Sequence, residues 1–203
     1  MTIKDFGGQV ASVWEGLRPM TRKMLVGALQ TGSTTNPKSP TLLYDAHADF
    51  ELSRLLSAID EQSKSADTRK DAKRLDEMNQ LADTCIRLLE TQSASAEVFI
   101  QLAERALKKH DYKKLDALAD RLMQKFSAGE IAEIIRQTDS PQIRAIAYET
   151  LSSLPVGAVA PLLYDQLYSD IAGAALEQKA FDFESDEAKD ALDRFDQDSF
   201  RSN

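Results

Sequence analysis

A chain of 203 residues, 42% hydrophobic and 29% charged, is long enough to bury a core, and its net charge of −8 argues against nucleic acid as a partner. Its single cysteine, Cys85, excludes an internal disulfide, and no window holds the ~18 apolar residues of a membrane span. Eight Gly, six Pro and few β-branched runs favour helix over sheet.

Residues 1–9 contain no long apolar run, so the expectation is a soluble, cytoplasmic chain with a frayed start and a flexible Gly7-Gly8 joint. From Val10 the pattern turns helical, because Val10, Val13, Trp14 and Leu17 share one helix face. Pro19 interrupts it, since proline lacks the backbone donor and clashes with the preceding turn. A second helix then starts with Pro19 in its first turn and ends at Gly32. Residues 1–33 are expected to form an N-terminal helical arm. Residues 34–41 are a linker, carrying two prolines and no bulky apolar side chain.

An α-helical body is expected over 42–182. Its first helix, about 42–61, takes its apolar stripe from Leu43, Phe50, Leu52, Leu55, Leu56 and Ile59. A long helix capped by Asp67 or Thr68 follows, running to about Gln92. Within it Cys85 lies among Leu81, Ala82, Leu88 and Leu89 and reads as a small buried hydrophobe. Shorter helices are expected at about 96–109, 111–127, 129–138, 140–154, 156–168 and 170–181. Ser127-Ala-Gly129 supplies a C-cap glycine, and Ser140-Pro141 pairs a capping hydroxyl with a first-turn proline. Residues 183–203 form an acidic, partly disordered tail with weak helical pattern at Ala188, Leu192 and Phe195.

The short helices repeat. Moving residues 110–137 forward by 28 places Leu115 on Ile143, Leu118 on Ile146, Ala119 on Ala147, Ile131 on Val159 and Ile135 on Leu163. Two successive helices thus keep apolar register across a turn, the mark of a repeated helix pair. The unit Asp139–Asp170 resembles a HEAT repeat, or the related armadillo type. Asp139, Ile143, Arg144 and Ala147 match that family's first helix, and Leu162-Leu163 resemble its paired leucines. The other copies carry Asp116 and Ala172 where the family favours arginine. The resemblance spans about 85 residues. It implies antiparallel helix pairs stacked as a short right-handed superhelix, whose face binds protein.

No catalytic constellation stands out. The two histidines, His47 and His110, lie far apart in sequence. In Asp45-Ala-His47-Ala-Asp49 the histidine points away from both acids on a helix, so the trio reads as solvated polarity rather than a metal face. Asp182, Glu184, Asp186, Asp190 and Asp193 echo a calcium-loop spacing, but Glu187 stands where that loop needs glycine. Neither metal nor cofactor is expected. Residues 1–41 carry a net +3 inside an otherwise acidic chain, and Trp14, Arg18, Arg22 and Lys23 form a basic-amphipathic patch. With Arg144, Tyr164 and Tyr168 they are the candidate partner-binding residues.

The sequence therefore points to an all-α protein that acts without catalysis as an adaptor or regulatory subunit. Its partner would be another protein or a second copy of itself. Two alternatives stay open: an enzyme or ligand binder with a pocket between helices, or a peripheral membrane protein anchored by residues 10–30.

Overall fold

The computed structural model describes residues 6–31 and 44–201. All regular structure among them is helical: α1 Gly8–Gly16, α2 Pro19–Thr31, α3 Ala46–Ser63, α4 Ala66–Lys70, α5 Ala72–Gln92, α6 Ala96–Lys108, α7 Tyr112–Lys125, α8 Ala128–Gln137, α9 Pro141–Ser153, α10 Val156–Val159, a 3-10 turn Ala160–Tyr164, α11 Ser169–Asp182 and α12 Asp186–Arg201. The protein is all-α. Residues 34–41, expected as a linker, and the expected stop at Gly32 lie outside the described residues.

The helices group into two units, Met1–Ser93 and Ala94–Asn203. This division differs from the expected boundary between an arm over 1–33 and a body over 42–182. In the first unit α3 is the central element. Ala48, Leu52, Leu55, Leu56, Ala58 and Ile59 give it a buried stripe at helical spacing. It packs on α5, which answers with Met78, Leu81, Ala82, Cys85 and Leu89. Helix α1 lies on α3, and α2 contacts α3 and α5. Phe6, Val10, Leu17 and Leu25 are fully buried by this packing. Each such side chain contributes about 1.5–3 kcal/mol, so α1 and α2 are core of this unit, not a loose arm.

Two local readings change. Gly7 is not a free joint: it sits at φ 117, and a Cβ there would lie 2.6 Å from the Gln62 side chain. The expected long helix to Gln92 is also broken. Ser65 caps α4 through the Thr68 N–H, and Asp71 caps α5 through the Arg74 N–H. Asp71, at φ −107 and ψ 91, is extended and so divides the two helices.

In the second unit α7 packs on α9 and α9 on α11, while α6 packs on α8 and α8 on α10. Helix α6 also meets α7, and α8 meets α9. The interior is filled by Val98, Phe99, Leu102, Leu118, Leu122, Ile131, Ile134, Ile143, Leu151, Val159, Leu163 and Leu176. Phe99 meets Phe126 edge-on at 5.8 Å between ring centroids. Alanines 132, 147, 172 and 175 are wholly buried, which lets helix backbones approach closely.

Caps explain the boundaries here too. Asp111, Ser127 and Ser140 each accept from the backbone N–H three residues on. Gly129 therefore stands inside α8 rather than capping a helix behind it. Ser95 makes no such bond. Glu130 of α8 instead accepts from the Ala96 N–H at 3.1 Å, closing the start of α6 from across the unit. His110 adopts φ 55, and the Asp111 N–H reaches Ala106 O at 2.9 Å, a Schellman stop to α6. The helix expected over 156–168 shrinks to α10 and a 3-10 turn, because Pro161 brings no N–H to an α-helical ladder. The expected disordered tail is helical as α12, which packs mainly on α11.

Candidate functional site

In the first unit the candidate basic patch is largely committed to the fold. Arg18, in the turn between α1 and α2, donates through Nη1 and Nη2 to both Asp45 oxygens, at 2.9 and 2.7 Å. Its Nε donates to Glu51 at 3.2 Å and its backbone N–H to the same carboxylate at 2.9 Å. The buried Thr21 hydroxyl also donates to Glu51. One carboxylate thus gathers a guanidinium, a backbone amide and a hydroxyl, fastening the α1–α2 turn to α3.

The electrostatics follow the geometry. The bonds from Arg18, then from the Ala48 N–H, hold the Asp45 carboxyl well below the usual carboxylate range. Burial pushes Glu51 up, but Thr21, the Arg18 amide and the Arg18 guanidinium together carry it below its ordinary value. Asp45 is therefore a helix cap and ion-pair partner.

Arg22 is committed as well: Nε donates to Leu17 O at 3.0 Å and Nη2 to Glu15 O at 3.1 Å, carbonyls at the end of α1. Trp14 is half-buried, and Lys23 is exposed. A shallow cleft of about 440 Å³ lies between α1 and α3, lined by Gln9, Ser12, Val13, Arg54, Ser57, Ala58 and Glu61. Its mixed lining holds no convergent acid–base pair.

In the second unit the three candidates also have partners within the chain. Arg144 donates to Thr138 O at 2.5 Å, tying the start of α9 to the end of α8. Tyr168 donates to Glu133 Oε2 at 2.9 Å, and Glu133 also pairs with Arg136 (Nε at 2.7 Å) and accepts from Gln137. The Arg136 bond, set against burial and aided by Gln137 and Tyr168, pulls Glu133 down to about 2. The bond that Tyr168 donates to Glu133, with burial, pushes its own hydroxyl above the ordinary value. Tyr164 lies edge-on to Phe195 at 5.3 Å and donates to Asp198 at 3.1 Å, so it holds α12 in place.

Within each unit the candidates serve separate contacts. Arg18 and Arg22 support one turn in the first unit, while Arg144, Tyr164 and Tyr168 make three separate contacts in the second. Within Asp182–Asp193, residues from Asp186 onward lie on α12, where Lys189 pairs with Asp186. Among the described residues no group of three or more His, Cys, Asp or Glu is placed to hold a metal ion.

Sequence reading missed Glu51 and Glu133, the carboxylates around which these contacts are built. Glu51 directly precedes Leu52 at the edge of the α3 stripe, and an acid in that place signals a buried partner. It also missed the exposed apolar surface of the second unit. Tyr112 and Met123 of α7 and Leu167, Phe181 and Phe183 are all solvent-exposed, Phe181 at 86%. Tyr112 and Met123 are three turns apart, which puts both on one side of α7.

No family model, curated protein or solved structure matches the chain.

Proposed function

We propose that the chain is a non-catalytic protein-interaction module, an adaptor or regulatory subunit, and that its second unit is a short HEAT-like stack presenting one face to a protein partner. The supporting observation is the apolar surface of that unit. Leu115, Leu118 and Leu122 bury the inner side of α7, yet Tyr112 and Met123 stand in water on its flank. Phe181 and Phe183 do the same at the end of α11. Exposed aromatic and methionine side chains rimmed by charge suit protein recognition. The polar residues that might have served chemistry are instead spent on contacts within each unit.

The stacking order supports the repeat reading. The first helices of the aligned copies, α7, α9 and α11, contact in sequence, and so do α6, α8 and α10. Equivalent helices lying side by side is the arrangement expected of stacked helix pairs.

Capture from a native lysate by the immobilised full chain, read by mass spectrometry, tests the proposal. A protein partner should be retained by the native chain and lost by Y112S/M123S or F181D/F183D variants that keep the native thermal melt. Capture of a bound metabolite with no protein partner would overturn it.

A further inference from the structure

We infer that α12 is an exchangeable helix, so that two copies of this chain can pair by each docking its α12 on the other's α11 and Ala160–Tyr164 turn. The hinge is Phe183-Glu184-Ser185. It contains neither glycine nor proline, yet α11 and α12 are separate helices across it. The break depends on two local features. Glu184 adopts φ 49, a left-handed conformation that costs a residue with a Cβ. Ser185 accepts from the Ala188 N–H at 3.3 Å and so caps α12.

The packed face of each helix extends into this break. Ala188 is fully buried and Leu192 and Phe195 half-buried, forming the docked face of α12. Extended backward at helical spacing, that face reaches Phe181, seven residues before Ala188. The buried residues of α11, Ala172, Ala175 and Leu176, lead through half-buried Lys179 to Phe183, one turn further on. The Lys179 ammonium already lies 5.4 Å from the centre of the Phe183 ring. Phe181 and Phe183 are thus exposed in the broken form but continue both stripes once 169–201 is a single helix.

Straightening the hinge carries α12 away from its own groove. Every contact it loses, including Tyr164 with Phe195 and Asp198, is restored by the identical α12 of a second copy. Strained hinges with identical exchanged elements are the physical basis of such swapping. In the straightened helix Phe181 lies on the exchanged face and meets the second copy, while Phe183 extends the face that α11 keeps on its own unit.

This inference shares Phe181 and Phe183 with the partner surface proposed above but needs no foreign partner, and self-association of the purified chain reads it separately from capture out of a lysate. The test compares E184G with E184A/S185A in the full chain, by sedimentation equilibrium at physiological ionic strength. Glycine fits the left-handed hinge and disfavours the straight helix, while alanine without the cap does the reverse. Each hinge should shift the equilibrium about tenfold, so E184A/S185A should dimerise about 100-fold more tightly. Equal dimerisation, or monomers throughout, overturns the inference. The exchange is then read directly in a C85A background. Chains carrying only Y164C are mixed with chains carrying only F195C and treated with a short bismaleimide. Linkage between the two chain types in the dimer fraction is expected. Dimers without it would mean association through some other face and also overturn the exchange.

Discussion

Replacing Glu51 by alanine should be among the most damaging single changes in the first unit. Glu51 is largely shielded, with 13% of its side chain exposed, and it receives the Arg18 amide, the Arg18 guanidinium and the Thr21 hydroxyl. Thr21 is 1% exposed, so its hydroxyl has little access to water once the carboxylate is gone. An unsatisfied buried polar group costs about 1–3 kcal/mol, and losing a charged acceptor adds to this, so the expected loss is about 2–4 kcal/mol. In a unit of this size that corresponds to a fall in Tm of about 10–25 °C. E51Q, which keeps one acceptor oxygen, should lose about half as much. Thermal unfolding followed by circular dichroism measures both variants. If E51A melts within 3 °C of the native chain, the carboxylate is not holding the α1–α2 turn and the reasoning fails.

Three further outcomes are expected. A variant lacking residues 1–33 should lose cooperative unfolding of the first unit, because Phe6, Val10, Leu17 and Leu25 together represent about 6–12 kcal/mol of burial; hydrogen exchange of α3 and α5 would show it. H110G should stabilise the second unit by about 0.5–1 kcal/mol, since glycine takes the left-handed stop at φ 55 more readily than histidine; denaturant titration measures the gain. The second unit should also respond to pH from both sides. Glu133, at about 2 in the fold against an ordinary 4.5, contributes stability above pH 4.5 that is lost as the pH falls toward 2. Tyr168, raised above its ordinary 10, contributes below pH 10 and loses its donated proton above it. Melts of E133Q and Y168F should flatten the acid and alkaline limbs respectively.

The helices were legible where apolar spacing and capping chemistry agree. Val10 to Leu17, the Pro19 restart and the Ser140-Pro141 start all combine a stripe with a fixed punctuation residue, so local physics decides them. The misread stretches are those where tertiary contacts or a single backbone angle decide. Nothing in Ser65–Asp71 distinguishes one long helix from two, until Asp71 is seen extended at the end of α4, where it caps the start of α5. Helix α12 has a mostly charged surface and, among its described side chains, one that is fully buried, Ala188, so its order rests on cover from α11 and on Tyr164. Such cover is invisible to a reading that weighs each segment alone.

The candidate residues show the same limit from the side of function. A cluster of bases with an aromatic, as at Trp14–Lys23, carries the same composition whether it faces a partner or clamps the chain. Arg18 and Arg22 are clamps because a carboxylate one helix away and the carbonyls at the end of α1 lie within reach. Charge marks groups that need partners but does not say where those partners are. Exposed apolar area carries the opposite information: Phe181 and Met123 have no electrostatic demand, and burying them would lower the free energy. Their exposure in a chain otherwise able to fill its interior is the stronger sign of a contact still to be made. For Phe181, that contact can come from a second copy of the chain.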